Sequence, residues 1–459
     1  MHTSRWLWPL RLRTLPQDPT SRSLRLYVAI SKLAWLFTTT DQWYYDRPTC
    51  RLFSAGQTAG LRWHFYCCIV LAIMSMSAEQ RFALISENLG EILNPELIES
   101  ILKEGRSPRI YWGTATTGRP HSGYFVAALK IAQLLAAGCE VVILLADVHA
   151  FLDSMKAPLE LVENRVKYYE KVIRAILEAV GVSTDKLEFV LGSSYQRNSD
   201  YVMDVYRLAA LTSEHDCRKA GAEIVKQSTN APMSGLLYPI LQVLDEEYLK
   251  VDAELGGLDQ RKLFVAATEW LPKLGYRKRA HLITPMVAGL SGGKMSSSVE
   301  DSKIDLLDPP EAVAKKIRKS EAAPKIVENN GIIAMVEFVL LPAAGLAGKK
   351  EFRVERRDAE PLIYTDIQQL KDDYANDVLT PQFLKPAAAE ALTRLMAPIY
   401  DAYQASPEWQ EITLKAYPPP VVQKKQKKVK DRGSRHPGAA PGQQAEQTQQ
   451  ELPERPKEQ

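Results

Sequence analysis

Three stretches of the chain hold side chains that could do chemistry. The first is Thr117-Gly118-Arg119-Pro120-His121-Ser122-Gly123-Tyr124, which leads from a strand-like run into a helix-like one. A helix N-terminus offers unpaired N–H groups and a positive dipole to an anion, and an imidazole and a phenol there add side-chain donors. The second is Ser291-Gly292-Gly293-Lys294-Met295-Ser296-Ser297-Ser298, a Gly-bordered loop with one lysine and three hydroxyls after it. The third is a stripe: Tyr238, Gln242 and Asp245 stand at i, i+4 and i+7, one face of one helix. An apolar stripe there would be plain core. A Tyr/Gln/Asp stripe among Leu236, Leu237, Ile240 and Leu244 needs polar partners inside a pocket. Neither G-x-G-x-x-G nor G-x-x-x-x-G-K-[ST] is present, so the dinucleotide and Walker phosphate loops are excluded. Taken alone, the first stretch also fits an exposed helix cap with an incidental histidine.

The elements that must position these groups follow from periodicity. Arg109 to Gly113 is β-branched and aromatic after a Ser-Pro break and reads as a strand. Pro120 suits the first turn of a helix that runs to Ala137 and stops at Gly138. Glu140 to Leu145 is almost wholly apolar, as a buried parallel strand is. The result is a β-α-β unit, with Asp147 and His149 just past the second strand, where open α/β sheets place ligands. Ser77 to Gly105 reads as helical, with Phe82, Ile85, Leu89, Ile92 and Leu93 at helical spacing. Ala157 to Gly181 is a long amphipathic helix, Leu187 to Gly192 a short strand, and Tyr201 to Lys226 helical. His215, in that last helix, reads as a surface or packing residue. Asn329 to Leu341 and Pro386 to Tyr403 are further helices.

Taken together, the first two stretches resemble the HIGH and KMSKS signatures of class I aminoacyl-tRNA synthetases. With Ser234 to Asp245 and Gly256-Gly257-Leu258-Asp259-Gln260-Arg261-Lys262 between them, the set resembles tyrosyl-tRNA synthetases of the archaeal and eukaryotic cytosolic type. The resemblance covers roughly residues 77 to 418. It implies a Rossmann-like α/β parallel-sheet catalytic domain (76–303) followed by a mainly α-helical anticodon-binding domain (304–418). It implies ATP as substrate, Mg²⁺ carried by the ATP, L-tyrosine and tRNA(Tyr) as partners, a homodimer, and no membrane. His121 would donate to the phosphates with Thr116, Thr117 and Tyr124 helping. Gly118, Gly123, Gly257 and Asp259 would lie on ATP, and Lys294, with Met295, Ser296, Ser297 and Ser298, on the departing pyrophosphate. For tyrosine, Tyr238 and Gln242 would take the amine, Gln260 the head group, and Asp245 with Tyr111 the phenol.

Departures from the family pattern are local. Tyr124 stands in the place of the signature's second histidine, and Ser298 in that of its second lysine. The segment resembling H-P-x-D-L-K is Thr380-Pro381-Gln382-Phe383-Leu384-Lys385, where Phe383 cannot accept from a base edge, so no anticodon residue is carried over.

Composition bounds the rest. The chain has 459 residues, is 46% hydrophobic and 25% charged, and has a net charge of +3, so any basic surface is local. Its five cysteines form no C-x-x-C pair, which speaks against zinc or a disulfide framework and suits a reducing compartment. Residues 1–75 hold nine Lys/Arg against three Asp/Glu and read as a disordered, non-homologous basic extension. Such composition suits a mitochondrial transit peptide. The resemblance begins after Met76, however, which favours initiation at Met74 or Met76 and a cytoplasmic protein. Residues 419–459 are Lys/Pro/Gln-rich and read as a disordered tail.

Three rival functions share parts of this pattern. A tryptophanyl enzyme has no use for Asp245 and Tyr111 as a phenol's partners. A non-catalytic synthetase-like protein would not need His121, Lys294, Asp259 and Gln260. A nucleotidylyltransferase would lack the tyrosine stripe and the helical C-terminal part.

Overall fold

The β-α-β unit forms where expected, with one shift. In the computed structural model, which describes residues 76–153, 158–184, 187–225, 232–290, 303–357 and 359–419, β2 spans Arg109–Ala115 and β3 Glu140–Ala146. The helix between them, α3, runs only over Tyr124–Ala136. Pro120 therefore lies before the helix, not in its first turn. The segment is held extended instead, because His121 bridges Asp305 and the Ser122 N–H donates to the Ile304 carbonyl. Gly138 ends the helix as anticipated, at φ 78°, a conformation that costs glycine nothing.

Around this unit a six-stranded sheet has the order β1-β6-β5-β2-β3-β4, with β1 Glu91–Leu93, β4 Glu188–Leu191, β5 Ala253–Gly257 and β6 Ala280–Thr284. All neighbours are parallel except β1 with β6. The chain leaves β2 toward β3 on one side and returns as β5 on the other. That makes β2 and β5 the topological switch point, outside whose carboxyl ends open α/β sheets bind ligands. Ile92 and Leu93 are thus edge-strand residues, not helical ones. The single helix expected over 77–105 is two, α1 (Ala78–Ser86) and α2 (Pro95–Lys103), because Asn88 and Asn94 take left-handed backbone and break the run.

The remaining helices cover the two faces. They are α4 (Asp147–Leu152), α5 (Leu159–Ala179), α6 (Ser193–Gln196), α7 (Ser199–Leu211), α8 (Glu214–Ala220), α9 (Ser234–Tyr248) and α10 (Arg261–Trp270). The stretch read as one helix from Tyr201 is divided at Ser213, whose hydroxyl accepts from the Asp216 N–H and caps a new start. Lys226 lies outside the described residues. In α5 the buried residues Val162, Arg165, Tyr169, Val172 and Ile176 recur every three or four positions, which seats this face inward.

After residue 303 the chain is mainly helical, as expected: α11 (Pro310–Lys319), α12 (Gly331–Met335), a π-helical stretch (Val336–Leu340) into α13 (Leu341–Leu346), then α14 (Ile367–Ala375), α15 (Pro381–Gln404) and α16 (Pro407–Ala416). An antiparallel hairpin, β7 (Phe352–Val354) with β8 (Leu362–Tyr364), was not foreseen. Among the described residues the apolar packing is continuous across the 303/304 boundary. Ile304, Leu306, Val313 and Ile317 belong to the same apolar core as Ile110, Phe125 and Leu255, and α15 and α16 pack on α5. Among the described residues no helix is long and apolar enough to cross a membrane.

Candidate active site

A cavity of about 350 Å³ opens at the switch point, lined by residues from β2, the turn after it, β3, α4, α9 and β5. Its buried end rests on a row of side chains set by strand register. Tyr111 of β2 pairs with Glu254 of β5, and Glu254 with His281 of β6, so the three lie side by side on one face. Above them α9 presents Tyr238, Gln242 and Asp245, the stripe the sequence showed, and Glu246 with them.

Asp245 is wholly buried. One carboxylate oxygen accepts from Gln196 Nε2 at 2.8 Å and from the Tyr201 hydroxyl at 2.9 Å. The other, Oδ2, has no hydrogen-bond partner, and neither has the buried hydroxyl of Tyr111. Both residues line the cavity. Burial pushes the Asp245 carboxyl up to about 7, against the pull of its hydrogen bonds from Gln196 and Tyr201. His149 lies beside it, Nε2 at 3.8 Å from Asp245 Oδ2 and the ring edge-on to Tyr238. Burial depresses this imidazole to about 4, so it is neutral near pH 7. The Tyr111 phenol is held well above its ordinary value, first by burial and then by the buried carboxyl groups beside it, Glu254 foremost.

The amide of Gln242 bridges the floor of the cavity. Its Nε2 donates to Glu254 Oε1 at 2.8 Å and to Gln260 Oε1 at 3.1 Å. Beyond Gln260, at the end of β5, Gly256 and Gly257 approach other groups too closely for a side chain. A Cβ on Gly256 would meet Phe264 Cζ at 2.6 Å, and one on Gly257 would meet Asp259 Oδ1 at 2.6 Å.

The turn after β2 forms the other end. Gly123 N–H donates to His121 Nδ1 at 3.2 Å, which fixes Nδ1 as acceptor and leaves Nε2 as the ring's N–H donor. Arg119 Nε pairs with Asp305 Oδ2 at 2.8 Å, and the Tyr417 hydroxyl reaches the Thr117 carbonyl at 3.3 Å. Residues from beyond position 303 therefore clasp the turn from outside.

The structure brings Tyr111, Thr117, His121, Gly123, Tyr124, Tyr238, Gln242, Asp245, Gly257, Asp259 and Gln260 to one cavity. Thr116 and Gly118 are not among its lining. The Thr117 N–H closes a tight turn on the Ala115 carbonyl, and Thr116 at its centre is fully buried. Thr114 supplies the lining hydroxyl on this strand. Gly118 points its carbonyl at the Tyr169 hydroxyl. Tyr124 reaches the cavity, but its hydroxyl is engaged with Thr114 at 3.1 Å. Lys294, Met295, Ser296, Ser297 and Ser298 lie outside the described residues. Phe383 is partly buried against the core rather than offered for stacking.

Sequence reasoning missed Glu254, Gln196 and Tyr201, and it noted His149 without giving it a role. Glu254 carried one signal, a carboxylate inside the otherwise apolar strand Ala253–Gly257. Gln196 and Tyr201 carried none, since only folding brings them to Asp245. Among the described residues, Glu246, Glu254 and His281 have ligating atoms within 4.8 Å of one another. One atom of each is already hydrogen-bonded: Glu246 Oε1 lies 2.9 Å from His281 Nε2, and Glu254 Oε1 accepts from Gln242.

A parallel sheet with a cavity at its switch point, a histidine-bearing turn before the first crossover helix and a polar stripe opposite define a family. Residues 103–397 match the model described as tRNA synthetases class I (W and Y), and the chain belongs to that family. Within it the chain is similar to proteins named Tyrosine--tRNA ligase, cytoplasmic. It is 52% identical to that of Danio rerio over 351 residues, covering 76% of this chain and 65% of the relative. The chain thus spans just under two thirds of that relative's length. Against the Saccharomyces cerevisiae protein it is 48% identical over 374 residues, covering 80% of this chain and 95% of the relative. Among solved structures, the tyrosyl-tRNA synthetase of Archaeoglobus fulgidus complexed with L-tyrosine superposes with a TM-score of 0.64. The two are 35% identical, and the match covers 71% of this chain and 99% of that one.

Proposed function

We propose that this chain is a tyrosine--tRNA ligase, which joins tyrosine to ATP as tyrosyl-adenylate with release of diphosphate and then passes tyrosyl to the 3′-terminal adenosine of tRNA(Tyr). One observation carries the reading: the cavity's buried end holds one acceptor, Asp245 Oδ2, and one hydroxyl, Tyr111 Oη, both without partners. A phenol that donates to the first and accepts from the second satisfies both. Phenylalanine would leave both unpaired, at a cost of about 1–3 kcal/mol each. An indole N–H could donate to Asp245 but has no lone pair to accept from Tyr111.

In the first step the tyrosine carboxylate attacks the α-phosphorus of ATP, and diphosphate leaves. No enzyme nucleophile is needed; the protein positions the reactants and neutralises growing charge. His121, through its Nε2–H, donates to phosphate oxygens. Asp259 and Gly257 take the ribose side, and Lys294 the departing diphosphate. Mg²⁺ arrives with ATP, held by phosphate oxygens and water. In the second step a terminal ribose hydroxyl of the tRNA attacks the adenylate carbonyl and AMP leaves. The helical part after residue 303 is the anticodon-binding portion. Met203 and Tyr206, both exposed on α7, suit burial against a second copy and so a homodimer. The working compartment is the cytoplasm.

Amino-acid-dependent ATP–diphosphate exchange, run with all twenty amino acids, tests the reading. Tyrosine alone should support it. Comparable exchange with tryptophan or phenylalanine would defeat it.

A further inference from the structure

Glu254 has no part in the roles assigned above, yet it is 2% exposed, lines the cavity and touches the residue assigned to the substrate amine. An amide nitrogen has two protons. Those of Gln242 go to Glu254 Oε1 and Gln260 Oε1. Only the carbonyl oxygen of Gln242 then remains for a ligand, and it is an acceptor, as a substrate ammonium requires. Reversed, the same amide would present N–H groups to an ammonium and repel it.

The orientation depends on Glu254 offering an acceptor in either ionisation state, and its surroundings ensure that. Tyr111 stands on one side of it in the sheet and His281 on the other, while α9 packs Gln242, Asp245 and Glu246 against the same row. Glu246 is engaged with His281 through Oε1, leaving its Oε2 without a partner, like Oε2 of Glu254. A proton on Glu254 therefore sits best on Oε2, the oxygen that Gln242 does not use. Oε1 stays free to receive Gln242. Burial and the nearby charge of Glu246 favour that protonated form strongly.

We propose that Glu254 is a positioning residue, which fixes the Gln242 amide with its carbonyl oxygen toward the substrate's ammonium group. The proposal rests on the tyrosine reading above. It separates Glu254 from a merely structural residue, because only ligands that carry the ammonium should sense it.

The test compares L-tyrosine with 3-(4-hydroxyphenyl)propionate, which lacks the amine, by calorimetric binding to the full chain and to two variants. Glu254→Met keeps length and removes the acceptor. It should weaken tyrosine about tenfold while leaving the des-amino compound within about twofold. Glu254→Gln keeps an oxygen that can accept from Gln242, so it should bind both ligands within about threefold of the native chain. Equal weakening of both compounds by Glu254→Met would make the residue structural and overturn the proposal. So would unchanged tyrosine binding in that variant, alongside a native chain that binds tyrosine. A native chain that does not bind tyrosine would overturn the substrate reading and this proposal with it.

Discussion

The two ends of the cavity are built on opposite principles. At the buried end the recognition groups are side chains on regular elements: Tyr111 on β2, Glu254 on β5, and Tyr238, Gln242 and Asp245 on α9. All but the partly buried Gln242 are almost fully removed from water, and several keep an unpaired polar atom. At the turn end His121, Gly123 and Asp259 are partly exposed and sit on loops and short turns. There the protein holds the backbone in place from outside, through Asp305, Ile304 and Tyr417. A fixed small molecule can be recognised by rigid, desolvated partners. Phosphates that carry developing charge and must leave are better met by hydrated donors on segments that can adjust.

The contrast ranks the effects of substitution. Asp245→Ala should be the most damaging, with a loss of about a hundredfold in kcat/KM for tyrosine, from a buried carboxylate pair broken with Gln196, Tyr201 and the substrate. Steady-state exchange kinetics would show it, and a loss below threefold would remove Asp245 from the phenol's partners. His121→Ala comes next, slowing adenylate formation about tenfold to hundredfold with tyrosine affinity nearly unchanged, since its donor acts as charge builds. Single-turnover kinetics separate the two; a variant that raised only the tyrosine dissociation constant would reverse the division of labour between the ends.

A smaller, pH-dependent effect sharpens the comparison. Asp245 is raised from 3.8 to about 7 by burial, so the native state holds a proton that the unfolded chain has already lost. Its contribution to stability is present below about pH 4 and is lost as pH rises to about 7. His149, depressed from 6.5 to about 4, has the opposite slope: its contribution is present above pH 6.5 and is lost as pH falls toward 4. The two nearly cancel. Asp245→Asn removes the descending one, so urea unfolding should show its stability rising more steeply than the native chain's between pH 4 and 6.5. Parallel slopes would mean that the buried pair does not titrate as described. For catalysis, tyrosine kcat/KM should fall below pH 7, where the phenol loses its ionised acceptor.

The smallest effect belongs to the clasp. Asp305→Asn weakens the pair with Arg119, which is about a third exposed, and should raise KM for ATP about threefold with tyrosine KM unchanged. An equal change in both would show that the turn and the buried end are not separable.

Much of this was legible in the chain itself. The β-α-β unit, the stop at Gly138 and the polar stripe on α9 follow from periodicity and residue chemistry, because those are local properties of one strand or one helix. The turn residues could be named but not placed. Whether Thr116 or Thr114 meets the cavity depends on a tight turn closed by the Thr117 N–H, and the start of α3 depends on contacts to Ile304 and Asp305, far away in sequence. The edge strand over Ile92 and Leu93 was hidden for the same reason, since a three-residue strand exists only through its pairing with β6. The sequence alone thus marked the stripe of Tyr238, Gln242 and Asp245 and the helix that bears it. Only the tertiary structure decided that Tyr111, Glu254 and His281 form one row, that Gln196 and Tyr201 hold Asp245, and that Gln242 has a single orientation. Register and hydrogen bonding join residues dozens of positions apart, and no local pattern encodes them.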